Sequence, residues 1–173
     1  TSSLVGSEMC IRDRSNVAHN TLTINSERHL VESNAPITRT FESKKQKGAE
    51  VDLSTVFANS VKKAVRTVIL DQKDHLEVID RLETRDKEAT VSWIMVTPAE
   101  AKITGKNRIE LTKDGQRMLL TADTGTEVEM KIWSNVPPHE YDFRNPGTIR
   151  VGFETVIPAN RASQLKVRLI PLK

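Results

Sequence analysis

The sequence predicts an all-β fold, an antiparallel β-sandwich or stack of β-sheets. Three observations predict it. Short segments along most of the chain alternate apolar and polar residues, the two-residue period of a strand with one buried face. Turn signals separate these segments about every ten residues. The one long segment that also fits helical spacing is crowded with β-branched side chains, which favour a pleated sheet.

The first strand follows Asn20. Leu22 and Ile24 share one face; Thr21, Thr23 and Asn25 share the other. Ile37 to Ser43 repeats the pattern more weakly, and Lys44 to Gly48 reads as a solvated turn or flexible loop. Residues 49–70 are ambiguous. Leu53, Phe57, Val61, Ala64, Val65 and Val68 fit a helix, yet the run from Val61 to Ile69 is largely β-branched and alternates with Lys62, Ala64 and Arg66. Strands flanking a short turn near Phe57–Ser60 are the better reading. In the next segment Leu76, Val78, Asp80 and Leu82 fall on one face. Ala89 to Val96 is a nearly continuous β-type run enclosing Trp93. Asn107 to Thr112 meets Gln116 to Ala122 across Lys113-Asp114-Gly115, a hairpin signal. Another turn falls at 122–127. Three alternating runs close the chain, carrying Val128, Met130 and Ile132; Ile149, Val151 and Phe153; and Leu165, Val167 and Leu169.

Length and composition narrow the function. A chain of 173 residues suits one domain or part of a larger protein. Charged residues reach 28%, but Val, Ile and Leu recur at core spacing throughout, so a folded domain is expected rather than disorder. Aromatics at 4% argue against an extended aromatic sugar platform or a base-stacking surface. The net charge of +3 comes from interspersed charges, which gives little support to an anionic partner and almost none to nucleic acid. No apolar run is long enough to span a bilayer. GxGxxG, P-loop, HExxH, CxxC and GxSxG motifs are all missing, and no repeat is evident.

Leu4 to Asp13 resembles the translation of a transposon-end adapter used in preparing sequencing libraries. Residues 1–14 are therefore read as a non-native tag and residues 15–173 as the domain. Cys10, the only cysteine, falls in the tag and supports no disulfide argument. The natural protein is expected to continue upstream of Ser15.

Candidate chemistry is sparse. His19 and Asn20 stand side by side where the first strand begins. They are either ordinary residues of a loop entering a strand, or the strand holds His19 in a site completed elsewhere. None of the four histidines is spaced as a local metal pair. A stiff strand entrance can fix an imidazole for zinc, but zinc needs three or four ligands and no others are visible nearby. Residues 135–148 form a long proline-bearing connection. Asn145-Pro146-Gly147 reads as turn chemistry, while His139, Tyr141 and Arg144 could be ligand contacts on a ligand-facing loop. Trp93 and Trp133 read as packing residues, with no flanking pattern that marks sugar stacking. Glu77 and Asp80 read as a solvated strand pattern before a catalytic dyad.

The stretch Ser15-Asn16-Val17-Ala18-His19-Asn20-Thr21 resembles the run that opens a late strand in heparinase II/III-like polysaccharide lyases. The order downstream is also similar: Asp52–Ser54, Arg66–Asp71, Trp93 to Pro98, and Tyr141 to Glu154. Ser26 departs from the pattern, which often has glycine there; the departure affects a turn. The resemblance covers nearly all of residues 15–173. It implies the C-terminal β-sandwich of a two-part enzyme whose N-terminal α-toroid is missing from this chain. The substrate would be an acidic, uronate-containing polysaccharide cleaved by β-elimination: the carboxylate is neutralised, a base takes the C5 proton and an acid protonates the leaving oxygen. Most catalytic groups would lie on the missing half, so the fragment alone is expected to be inactive. Several members hold a structural zinc in the sandwich, and only His19 carries over as a ligand. By the same analogy the protein is bacterial and periplasmic or secreted. The alternative is a non-catalytic carbohydrate-binding or structural module of the same fold.

Overall fold

The computed structural model describes residues 16, 19–30, 32–125, 128–136 and 145–172. Twelve strands run through them: β1 (Leu22–Ile24), β2 (Ile37–Glu42), β3 (Gln46–Asp52), β4 (Val61–Asp71), β5 (Leu76–Thr84), β6 (Ala89–Thr97), β7 (Glu100–Gly105), β8 (Arg108–Lys113), β9 (Gln116–Asp123), β10 (Glu129–Ser134), β11 (Ile149–Ile157) and β12 (Ala162–Leu172). They form a four-stranded sheet ordered β1-β6-β11-β10 and an eight-stranded sheet ordered β2-β3-β4-β5-β12-β9-β8-β7, and every neighbouring pair is antiparallel. Among the described residues no helix is long and apolar enough to cross a membrane.

The sheets pack face to face because each presents one apolar row set inward. Leu22, Ile24, Val91, Trp93, Val151 and Phe153 come from the small sheet. Val61, Leu82, Ile109, Leu120, Leu165 and Val167 come from the large one, and all are buried in a common core. Trp93 stacks on Phe153 with ring centroids 6.1 Å apart and planes within 2°. Burial of this kind contributes about 25 cal/mol per Å² of apolar surface and drives the two sheets together.

Residues 49–70 resolve as two strands around a turn. Leu53, Val56, Phe57 and Ser60 close that turn through backbone hydrogen bonds, and Phe57 plugs the end of the core. The Asp114-Gly115 hairpin takes positive φ at both positions, 52° and 76°, which matches the twist of the flanking strands.

Three expectations need correction, and one strand is new. The solvated segment ends at Lys45: Gln46 already pairs with Asp71, so Gln46, Lys47 and Gly48 belong to β3. Strand β7 is an edge strand not identified from the sequence, although Ala101 and Ile103 alternate there with Glu100, Lys102 and Thr104. β1 is buried on both faces, since Asn16 covers Thr23 from outside. Asp80 is not solvated; it is 1% exposed on the core face of β5.

Candidate functional site

His19 sits just before β1 at one end of the four-stranded sheet. Its backbone is fixed from both sides: its N–H donates to the Asn16 carbonyl at 3.3 Å, and its carbonyl accepts from the Thr21 N–H at 2.9 Å. Asn16 is itself buried, and its Nδ2 donates to Thr23 Oγ1 at 2.8 Å and to the Glu27 carbonyl at 3.1 Å. The imidazole of His19 is left exposed at the sheet end.

Asn20 explains why the pair stands together. Its Oδ1 accepts from the Val96 N–H at 2.7 Å, carrying the β1–β6 ladder past the Ile94 N–H bond to the Thr21 carbonyl at 3.2 Å. Its carbonyl accepts from Arg66 Nη1 at 3.3 Å. Arg66 in turn holds Asp80 by two bonds, Nε to Oδ1 at 2.7 Å and Nη2 to Oδ2 at 2.9 Å. This guanidinium links the large sheet to the strand entrance of the small one. His29 lies close by, its ring edge-on to Phe57 at 4.8 Å and its Nε2 bonded to the Leu22 carbonyl at 3.1 Å. Burial pushes its pKa down, only partly opposed by that carbonyl, and the nearby charges of His19 and Arg66 add to the lowering.

The same end of the sheet carries the roots of the long connection between β10 and β11. Val96 pairs with Arg150, which pairs with Trp133; Thr97 pairs with Ile149, which pairs with Ser134. Asn135 is buried and its Nδ2 donates to Thr148 Oγ1 at 2.7 Å, tying the two roots together. The expected turn is present, with Gly147 at φ 72° and Thr148 Oγ1 donating to the Asn145 carbonyl at 2.7 Å. His139, Tyr141 and Arg144, the candidate substrate contacts, lie outside the described residues. The structure thus brings His19 to the sheet end from which their loop departs.

Among the described residues no three His, Cys, Asp or Glu side chains form a set that could hold a metal. His19 offers one imidazole, and a zinc bound there would take its other ligands from outside the described residues. A groove of about 950 Å³ opens at the opposite end of β10, lined by Ile103, Asn107, Ala122, Thr124, Val128 and Met130 among others. Lys106, Asp123 and Glu129 add charged groups to its lining.

Alternation alone placed Asp80 among Val78 and Leu82, and a charge on a core face signals a buried partner. Nothing in the sequence named Arg66 as that partner, or Arg150 as the neighbour of Trp133, because both pairings depend on register.

Known proteins agree with this architecture. A model of the family described as "Heparinase II/III-like, C-terminal" matches residues 11–170. No curated protein matches the chain. The heparan sulfate lyase HepC from Pedobacter heparinus superimposes with a TM-score of 0.75 at 14% identity, covering 100% of this chain and 27% of that one. A heparinase III crystal structure gives 0.69 at 14% identity, covering 88% and 23%. The protein HI1317 gives 0.53 at 7% identity, covering 80% of this chain and 65% of that one. The chain therefore spans about a quarter of the two lyase structures.

Proposed function

The chain belongs to the heparinase II/III-like C-terminal family, and we propose that it is the sandwich half of an enzyme that cleaves acidic, uronate-containing polysaccharides by β-elimination. The observation that carries this reading is the family match, which runs through almost the whole sandwich. The exposed His19 at the sheet end beside the 135–148 connection fits it, because a cleft formed against a second domain would be lined from such an end.

In this reading the sandwich forms one wall of the cleft and an α-toroid forms the other. The toroid supplies most of the groups that neutralise the carboxylate, remove the C5 proton and protonate the leaving oxygen. The 173-residue chain alone is then inactive. His139, Tyr141 and Arg144 are contacts to the polymer. His19 is one ligand of a structural zinc whose other ligands lie elsewhere in the parent protein. The protein acts in the periplasm or outside the cell, where such polymers are found.

Incubating the intact parent protein with heparan sulfate, alginate and other uronate polymers tests the activity through the ultraviolet absorbance of unsaturated products. The metal has its own readout: the zinc content of the parent should fall in His19→Ala, and equal zinc in both proteins removes His19 from the ligand set. The second reading is a non-catalytic carbohydrate-binding or structural module, favoured by the share of the much shorter HI1317 chain that the same sandwich occupies. Saturable binding of these polymers without any cleavage would decide for it.

A further inference from the structure

We propose that Gln46, His75, Glu77 and Arg168 form a binding site for one hydroxyl-rich sugar residue on the outer face of the eight-stranded sheet. That the residue belongs to a polymer chain rests on the polysaccharide reading of the parent protein. The site itself is argued from its own groups.

Two rows of side chains build it. Gln46 on β3 is opposite Asp71 on β4, and the Asp71 N–H donates to the carbonyl of His75, just before β5. In the next row Ile69 is opposite Glu77, which is opposite Arg168 on β12. Both rows face outward, because Leu76 and Leu169, which alternate with them, pack into the core. They surround a cavity of about 400 Å³, with Ile69 and Ile170 as its apolar part, a size suited to one small ligand. Beside it Phe41 lies across Gly48, where a Cβ would meet the Phe41 Cζ at 2.6 Å, and carries the apolar surface on to the sheet edge.

Each polar group keeps bonding capacity to spare. Asp71 Oδ1 accepts from the Lys73 and His75 N–H groups at 2.7 and 3.0 Å, and its Oδ2 stands 3.1 Å from His75 Nδ1. A carboxylate so placed keeps the proton on Nδ1 and leaves Nε2 as an acceptor. Arg168 engages only its Nε, on Glu77 Oε2 at 2.7 Å, and Lys166 reaches the same oxygen at 3.7 Å. Among the described residues, Glu77 Oε1 and the two Arg168 Nη groups have no partner. Gln46 is bonded there through its backbone alone, so its carboxamide is also unfilled.

The mixture of groups selects the ligand. Arg168 and Gln46 offer donors, while His75 Nε2, Glu77 Oε1 and the Gln46 carbonyl oxygen offer acceptors. An anion calls for donors alone. A metal calls for acceptors alone, and no set that could hold one exists among the described residues. A hydroxyl uses both kinds at once, donating to one group and accepting from another. The charges agree: Asp71 and Glu77 balance Arg168 and Lys166, so the site favours neither sign of ion. The C–H face of a sugar ring then rests on Ile69 and Ile170, and its hydroxyls meet the polar groups around them.

The test treats the intact parent protein with diethyl pyrocarbonate, which carbethoxylates an accessible neutral imidazole, and follows His75 by peptide mass spectrometry. Heparan sulfate should slow the reaction at His75 to a low plateau, and sodium sulfate should not. Gln46→Ala and Arg168→Gln alter exposed side chains. Each should raise the half-protecting concentration of heparan sulfate about fivefold, the scale of one hydrogen bond. Variants are compared at matched melting temperature, and Arg168→Lys replaces glutamine if the latter does not fold. Equal protection by sodium sulfate, or half-protection unchanged in both variants, overturns the site. So does a His75 that is unreactive before any sugar is added. A parent that cleaves uronate polymers while its His75 stays unprotected overturns the site alone. A parent inert on every such polymer, yet protected at His75, overturns the lyase reading and keeps the site.

Discussion

Arg66 on β4 clasps Asp80 on β5 through two parallel hydrogen bonds, 2.7 and 2.9 Å, with the carboxylate 1% exposed and the Arg66 side chain 15% exposed. Removing one partner strands the other charge in the core. Arg66→Met should therefore cost about 3–5 kcal/mol. The double variant Arg66→Met with Asp80→Leu should lose less than Arg66→Met alone, because no buried charge remains. Urea unfolding of the wild type, Arg66→Met and the double variant measures this; a double variant as unstable as Arg66→Met would contradict it.

Asn20 acts on the strand entrance through its acceptor oxygen. Asn20→Ala leaves the Val96 N–H without its 2.7 Å partner and should cost about 1 kcal/mol. Asn20→Asp keeps an oxygen in place and should cost less. Hydrogen exchange at the Val96 amide reads the bond itself: it should quicken in the alanine variant and stay slow in the aspartate one.

Ser26 adopts φ 58° immediately after Asn25 at φ 53°. An L side chain in this region costs about 1–2 kcal/mol, and glycine escapes that cost while losing some entropy. Ser26→Gly should raise stability by about 0.5 kcal/mol, visible as a higher melting temperature. A lower one would mean that the hydroxyl has a role in the turn.

The Lys131 ammonium holds the Glu154 carboxyl below the usual glutamate range; burial opposes this, and the Ser92 hydroxyl adds to the lowering. The same bond raises the Lys131 pKa. A carboxyl lowered in the folded state contributes stability above its unfolded value and loses it as pH falls through the folded one. The raised lysine contributes below its unfolded value and loses it only as pH rises through its folded one. The pair therefore helps across the neutral range and fails in acid. Melting temperature against pH should drop less steeply on the acid side in Lys131→Met than in the wild type. Glu154 is more than a third exposed, so solvent keeps the difference small. Identical acid limbs would contradict the assignment.

Much of the fold was legible because period two is a local signal. The hairpin at Asp114-Gly115, the inward rows of β11 and β12 and the turn near Phe57 all declare themselves within a few residues. Register is not local. Arg66 meets Asp80, and Trp133 meets Arg150, only once strands far apart in sequence or joined by a long connection take their places. β7 also alternates, Ala101 and Ile103 against Glu100, Lys102 and Thr104, but only two residues separate it from the long run of β6. Of the candidate site, His19 and its strand entrance could be read from the run His19-Asn20-Thr21. Asn20 as the anchor to β6 could not, since its partner is a backbone amide 76 positions away.

The most direct measurement of the central claim is mass spectrometry of the ends created when the intact parent protein degrades heparan sulfate. Elimination leaves an unsaturated uronate at the new non-reducing end and adds no water, and the account predicts that product. A saturated end carrying the elements of water, or an intact polymer, would contradict it.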